Sequence, residues 1–322
     1  MKTKDKIIKY LKNKGQATGA ELADIFEISD RAVRKQLASM LKSKELIKIG
    51  KPPKVFYALK EETLKTVKPI IDNQVKKIIE ENYFIITPSG EKKEGLEGFI
   101  YWCDKQKLPV EKTAEEYIKT LKKYSIFKKG DLINGTNKLK KTFEKLYLDD
   151  VYYLDFYAIE RFGKTKLGQM LLYAKQSQNK KLIRELIDDI RPALIKFVKK
   201  FKIDGVAYVS PTVKREVQFM NELKKKLNLK IKEVKVTKIK TEISVPQKTL
   251  NKLNDRIENA KKTFVVEETG KFNNILLLDD AVGSGATINE LAKKIKDKKL
   301  AKKVFGLVIT GSFKGFDVIS EV

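Results

Sequence analysis

Asn274-Ile275-Leu276-Leu277-Leu278-Asp279-Asp280-Ala281-Val282-Gly283-Ser284-Gly285-Ala286-Thr287 is the stretch on which the reading of this chain turns. Its apolar run, residues 275–278, is of the kind buried on both faces of a parallel sheet. Two acids follow at once, then a run of small residues, and from Ile288 the spacing becomes helical, with Leu291 and Ala292 apolar. A strand, a small-residue loop and a helix start in that order make an anion site, because unpaired backbone N–H groups and the positive end of the helix dipole face the loop. Gly283 and Gly285 permit close backbone approach and positive φ angles, while Ser284 and Thr287 add hydroxyl donors. Residues Ala281, Val282, Gly283, Ser284, Gly285, Ala286 and Thr287 are therefore read as the cradle of a sugar 5-phosphate. Asp279 and Asp280 make no sense against the phosphate itself. They make sense as acceptors for two vicinal sugar hydroxyls and as outer, water-mediated ligands of Mg²⁺.

Rival phosphate loops fail on their own requirements. A Walker A loop needs Gly-Lys-Ser/Thr, and the dinucleotide fingerprint needs a third glycine where Ile288 stands. The pattern instead resembles the signature of type I phosphoribosyltransferases: an apolar strand, two acids, and a loop ending in Ser/Thr-Gly-x-Thr. The resemblance implies an α/β phosphoribosyltransferase-like domain with a parallel sheet over residues 151–322, phosphoribosyl pyrophosphate or a nucleotide as ligand, and Mg²⁺ as its companion. Ala281 and Gly283 depart mildly from the family pattern. Purine-salvage members carry an Asp at the place of Gly283 that helps move a proton on the base, so Asp280 has no such helper here.

Upstream, residues 203–210 read as a strand ending in Ser210-Pro211-Thr212-Val213-Lys214-Arg215, with a helix over 217–227. In the family the loop after this strand holds the pyrophosphate, which assigns Ser210, Pro211, Thr212, Lys214 and Arg215 to that group. Pro246-Gln247, Leu250, Arg256, Asn259 and Phe264 resemble the competence protein F (ComF-type) branch, a likeness running from about Tyr152 to the C-terminus. That branch normally begins with a cysteine zinc ribbon, which the single cysteine, Cys103, cannot build. The base-binding hood that the family implies falls on residues 311–322, with Phe313, Phe316 and Asp317.

The first sixty residues supply a different element. Ile7, Ile8 and Leu11 lie at helical spacing, and a second short helix after Thr18 carries Leu22, Ala23 and Phe26. After a break at residues 27–29, Ser29 is placed to cap a third helix, 30–43. Val33, Leu37, Met40 and Leu41 form its buried stripe, and Arg31, Arg34, Lys35 and Ser39 its opposite face. Residues 46–49 and 55–59 alternate as a hairpin around Gly50-Lys51-Pro52-Pro53-Lys54. This order resembles a winged helix-turn-helix, with the third helix entering the major groove of double-stranded DNA and the hairpin as wing. Arg31, Arg34, Lys35, Lys51 and Lys54 are the candidate DNA contacts. A surplus of basic residues, 15 against 6 acidic in this segment, suits phosphate contacts. A protein-interaction module of the same fold is the alternative. A winged helix ahead of a phosphoribosyltransferase-like domain moves the likeness toward the purine repressor of Gram-positive bacteria.

Between the two ends, residues 61–150 read as a mostly helical connecting region with helices at 64–80, 96–105, 114–124 and 138–147 and a short strand at 83–87. It is a place for a homodimer contact. Phe99, Tyr101, Trp102 and Cys103 are read as core in preference to a base-stacking platform.

Composition narrows the chemistry. The chain has 322 residues, no histidine and a net charge of +27, so cysteine or histidine triads are excluded and a polyanionic partner is favoured. Only seven of the 69 basic residues are arginine, a bias that codon usage also produces. Apolar runs fall short of the roughly 18 residues a membrane span needs, and the reading is of a cytoplasmic protein without a membrane partner. Three functions stay open: a DNA-binding regulator that senses the ligand, an active Mg-dependent transferase moving ribose 5-phosphate to a nitrogenous base, and a ComF-like role in DNA uptake or processing.

Overall fold

The computed structural model describes residues 3–60, 69, 71–211, 215–239, 245 and 249–312. The start of the helix expected at 64, Thr212 and Lys214 of the expected pyrophosphate loop, Pro246 and Gln247, and the expected hood residues Phe313, Phe316 and Asp317 lie outside the described residues. The chain divides into two compact units, residues 1–70 with 88–91 and residues 71–87 with 92–322.

The first unit runs α1 (Thr3–Lys14), β1 (Gln16–Ala17), α2 (Gly19–Phe26), α3 (Asp30–Lys42), β2 (Leu46–Lys51) and β3 (Lys54–Leu59). Both internal helix starts are capped as their residues dictate: Thr18 Oγ1 accepts the Glu21 N–H at 3.1 Å, and Ser29 Oγ accepts the Ala32 N–H at 3.3 Å. Ile7, Leu11, Leu22, Val33, Leu37 and Met40 close one core. β1 adds to the hairpin to give a small antiparallel sheet in the order β1-β3-β2. The hairpin strands are longer than expected and the turn shrinks to Pro52 and Pro53, because Lys51 and Lys54 still pair across it.

The second unit continues with α4 (Asn73–Asn82), β4 (Phe84–Ile86), β5 (Lys92–Glu94), α5 (Gly95–Gln106), α6 (Val110–Ser125), β6 (Lys128–Lys129), β7 (Leu132–Asn134) and α7 (Thr136–Thr142). Then come β8 (Asp150–Phe156), α8 (Lys166–Ser177), α9 (Lys180–Lys200), β9 (Gly205–Tyr208), α10 (Phe219–Leu227), β10 (Lys232–Glu233) and β11 (Val236–Lys238). The last elements are α11 (Leu253–Thr263), β12 (Phe264–Val266), β13 (Phe272–Val282), α12 (Ala286–Asp297) and β14 (Ala301–Gly311). Seven strands form one sheet in the order β10-β9-β13-β14-β8-β7-β6. The first five are parallel, and β7 and β6 extend the sheet antiparallel beyond β8.

Burial explains why β13 lies inside this sheet. Ile275, Leu276, Leu277 and Leu278 have no exposed surface, and each fully buried large apolar side chain contributes about 1.5–3 kcal/mol. Ile275 and Leu277 face a core shared with α4, α5, α6, α7, α11 and α12, whereas Leu276 and Leu278 face α8, α9 and α10. The chain moves from β8 to β9 and on to β10 over the α8–α10 face, then returns to β13 and β14 over the other face. This is the alternation that right-handed crossovers require.

The described residues of the expected connecting region from 71 onward, apart from 88–91, fall in the second unit. Its β7 pairs with β8 through Ile133↔Tyr153, and Ile79, Phe99, Tyr117 and Leu139 join the core of the parallel sheet. The helix expected over 138–147 is shorter, because Phe143 turns extended to enter that core. Phe99 and Cys103 are fully buried, as a core reading requires. A fragment beginning at Asp150 is accordingly expected to lack cooperative unfolding in denaturant, whereas residues 71–322 should retain it. Equal midpoints for the two fragments would refute the shared core.

Candidate functional site

β9 and β13 lie side by side, with Ala207↔Leu277 and Tyr208↔Leu278 in register. The Val209 N–H donates to the Leu278 carbonyl at 2.9 Å, so Ser210 and Asp279 leave this register together. The connection out of β9 runs to β10 over one face, and the connection out of β13 runs to β14 over the other. The carboxyl ends of these two strands thus form a topological switch point, where open α/β sheets characteristically present a ligand crevice. Ser210 and Pro211 follow the end of β9 here, and residues 283–287, also singled out by sequence, follow the end of β13.

The strand is longer than expected. β13 continues to Val282, with Asp279↔Val308 and Ala281↔Thr310 paired to β14, so the two acids sit in the strand's last turn of pleat and not beyond its end. The loop reduces to Gly283, Ser284 and Gly285, and α12 begins at Ala286, two residues before the expected Ile288. Gly285 has φ +80°, and a Cβ there would lie 2.7 Å from Leu139 Cδ2, so both backbone and packing demand glycine. Ser284 is buried, and its Oγ accepts the Ala286 N–H at 3.3 Å. Thr287 is half-buried in the first turn, where the remaining amides have no intrahelical acceptor.

Two cations that sequence reading did not place at the site arrive from elsewhere in the second unit. Lys175, in the last turn of α8, holds Asp280 by an ion pair of 2.9 Å, with both side chains only 14% exposed. Arg256 of α11 brings Nη1 to 3.5 Å from the position a Cβ would take on Gly283, and its Nε donates to the Leu250 carbonyl at 2.7 Å. Arg256 was legible as part of the Arg-x-x-Asn spacing, though without a place in space. Lys175 carried no motif. Nearby, Lys138 donates to the Ser312 carbonyl at the end of β14, and burial pushes its ammonium down to about 8.

Of the residues expected to face pyrophosphate, Ser210, Pro211 and Arg215 are described. Ser210 spends its hydroxyl on the Val236 carbonyl at 3.4 Å, and Pro211 and Arg215 are half-buried. Arg215 makes no ion pair among the described residues. As for Mg²⁺, no group of three or more acidic, histidine or cysteine side chains converges anywhere among the described residues. Asp279 and Asp280 alone therefore suit a cation that brings most of its own oxygen ligands, as a metal carried on a pyrophosphate does.

The carboxyl of Asp279 is pushed above the usual carboxylate range, first by burial and then by the charge of Asp280. Its hydrogen bond from the Asp280 N–H, at 2.8 Å, and the Lys175 ammonium oppose this. The folded chain therefore keeps a proton that the unfolded chain has already given up, and stability falls as pH rises from about 4 through the folded value. Asp279→Asn is expected to melt above the wild type at about pH 8, with the two midpoints converging near pH 4. Parallel pH profiles would show that the carboxyl is not raised.

In the first unit, Arg31, Arg34 and Lys35 are all exposed on α3, opposite Val33, Leu37 and Met40. Arg34 lies 3.8 Å from Asp30 one turn away, a solvent-exposed pair that leaves the guanidinium open. Lys51 and Lys54 are backbone partners at the tip of the wing.

No curated protein matches the chain. A family model described as an HTH domain matches residues 3–53, the span from α1 to the tip of the wing, and the chain thus carries an N-terminal helix-turn-helix domain.

Proposed function

We propose that this protein is a DNA-binding transcriptional regulator whose second unit binds phosphoribosyl pyrophosphate with Mg²⁺. The observation that carries the ligand half is the meeting of an αL glycine, a helix N-terminus and two adjacent carboxylates at the switch point of a parallel sheet. In this reading the amides of Gly285 to Thr287 and the Ser284 and Thr287 hydroxyls hold the 5-phosphate. Asp279 and Asp280 accept from the ribose hydroxyls, and Arg256 supports the phosphate side. Lys175 neutralises Asp280 until the ligand replaces it. Bound Mg²⁺ would screen the pyrophosphate charge. Ser210, Pro211, Thr212, Lys214 and Arg215 take the pyrophosphate end.

The DNA half rests on the helix-turn-helix match and on the exposed cationic face of α3. A ligand acts on DNA binding only through unequal affinity for two states of the protein, and homodimerisation gives such states a half-site geometry to select.

Calorimetry with phosphoribosyl pyrophosphate and Mg²⁺ should show binding by the wild type and none by the Asp279→Asn, Asp280→Asn double variant; equal binding by both removes the site. Release of pyrophosphate with adenine, guanine, hypoxanthine, uracil or orotate would turn the sensor into a transferase. Arg34→Ala with Lys35→Ala should weaken duplex binding and lower the slope of log affinity against log salt by about one for each DNA phosphate no longer neutralised. An unchanged slope would assign the first unit to a protein partner.

A further inference from the structure

A cavity of about 530 Å³ opens at the carboxyl end of β8, within the size range of small-molecule sites. It is lined by Tyr117, Leu121, Tyr124, Phe156, Leu167 and Met170, and one carboxylate, Asp155, is set back in this apolar wall. Phe156 donates its N–H to Asp155 Oδ1 at 2.8 Å, and Asp155 joins no ion pair among the described residues. Its register neighbour on β14, Thr310, does not serve it either: the hydroxyl is buried and has no hydrogen-bond partner among the described residues. Burial raises the Asp155 carboxyl above its usual range although the charge of Lys128 pulls the other way.

A half-buried carboxylate in an apolar wall, with one oxygen uncommitted, is unfavourable unless a proton or a cation compensates it. The walls decide which kind of cation. A metal ion needs several oxygen or nitrogen ligands, and no such group of acidic, histidine or cysteine side chains exists among the described residues. Aromatic and aliphatic surface around a single carboxylate suits an organic cation, whose charge meets the carboxylate and whose body meets the rings. The two further acids of the lining, Glu81 and Asp189, are exposed at the rim together with Lys122 and Lys128, and Lys166 is half-buried, so with Asp155 the lining carries three acidic and three basic groups and no strong net sign.

We propose that this cavity binds a small organic cation, an ammonium or amidinium group on a flat or apolar body, with Asp155 as its counter-ion. The proposal does not rest on the phosphoribosyl pyrophosphate reading, whose acids Asp279 and Asp280 are not in the lining. Calorimetry of the full chain with benzamidine, benzamide and benzoate separates charge from shape. Benzamidine should bind, benzamide and benzoate at least about tenfold more weakly, and Asp155→Asn should lose about tenfold in benzamidine affinity while melting no lower than the wild type. Leu121→Trp, which fills the cavity without altering the carboxylate, should also abolish binding. Absence of benzamidine binding, equal binding of the neutral or anionic analogue, or wild-type affinity in either variant would overturn it.

Discussion

The carboxyl edge of the sheet depends on one constraint: β13 is buried on both faces along residues 275–278 and must release its polar residues together at its end. A strand covered by helices on both sides has no solvated face on which to place a carboxylate. Asp279 and Asp280 consequently gather where the covering helices stop, beside the end of β9 and ahead of the α12 N-terminus. Burial there, and then the charge of Asp280, raises the Asp279 carboxyl, while Lys175 reaches Asp280. The site is thus a place where folding tolerates electrostatic cost, as functional sites commonly do.

The lysine excess looks different in this light. Most lysines are solvated and say little about mechanism, whereas a few are taken out of water at specific positions. Lys175 at Asp280 and Lys138 at the end of β14 are of this kind. A net charge of +27 describes a field, and the field cannot distinguish these residues from Lys122 or Lys128, which stand exposed. Burial distinguishes them, and burial is a property of the fold.

Legibility followed periodicity and range. The winged helix was readable because its determinants are local: the Thr18 and Ser29 caps and the Val33, Leu37, Met40 stripe fall within a few residues of one another. The β13 loop and α12 were readable for the same reason, though the strand end was set two pleats early because acids and alanine carry weak strand preference. In the middle region the helices α4 to α7 and β4 lie near their expected places, whereas β5, β6 and β7 were not read. β6 and β7 have two and three residues, too few for alternation to register, and their place in the sheet is decided by β6 pairing with β7 and β7 with β8. Lys175 and Arg256 belong to the same class, since only a tertiary arrangement brings α8 and α11 to the end of β13.

That middle region also explains why the loop has one shape. Leu139 and Phe143 lie against Gly285, and the Asn289 side chain both accepts the Tyr147 N–H at 2.8 Å and donates to the Lys145 carbonyl at 3.1 Å. These contacts pin the first turn of α12 from outside the strand-loop-helix motif. An anion site made of backbone amides is effective only when the amides are already oriented, since a flexible loop must give up entropy on binding. Residues 274–287 therefore set which groups line the candidate site, while residues 136–147, read from sequence as no more than a helix, hold those groups still. Replacing the glycine at 285 with any larger residue attacks both functions at once, because the same Cβ that strains the αL backbone would displace the Leu139 side chain that supports it.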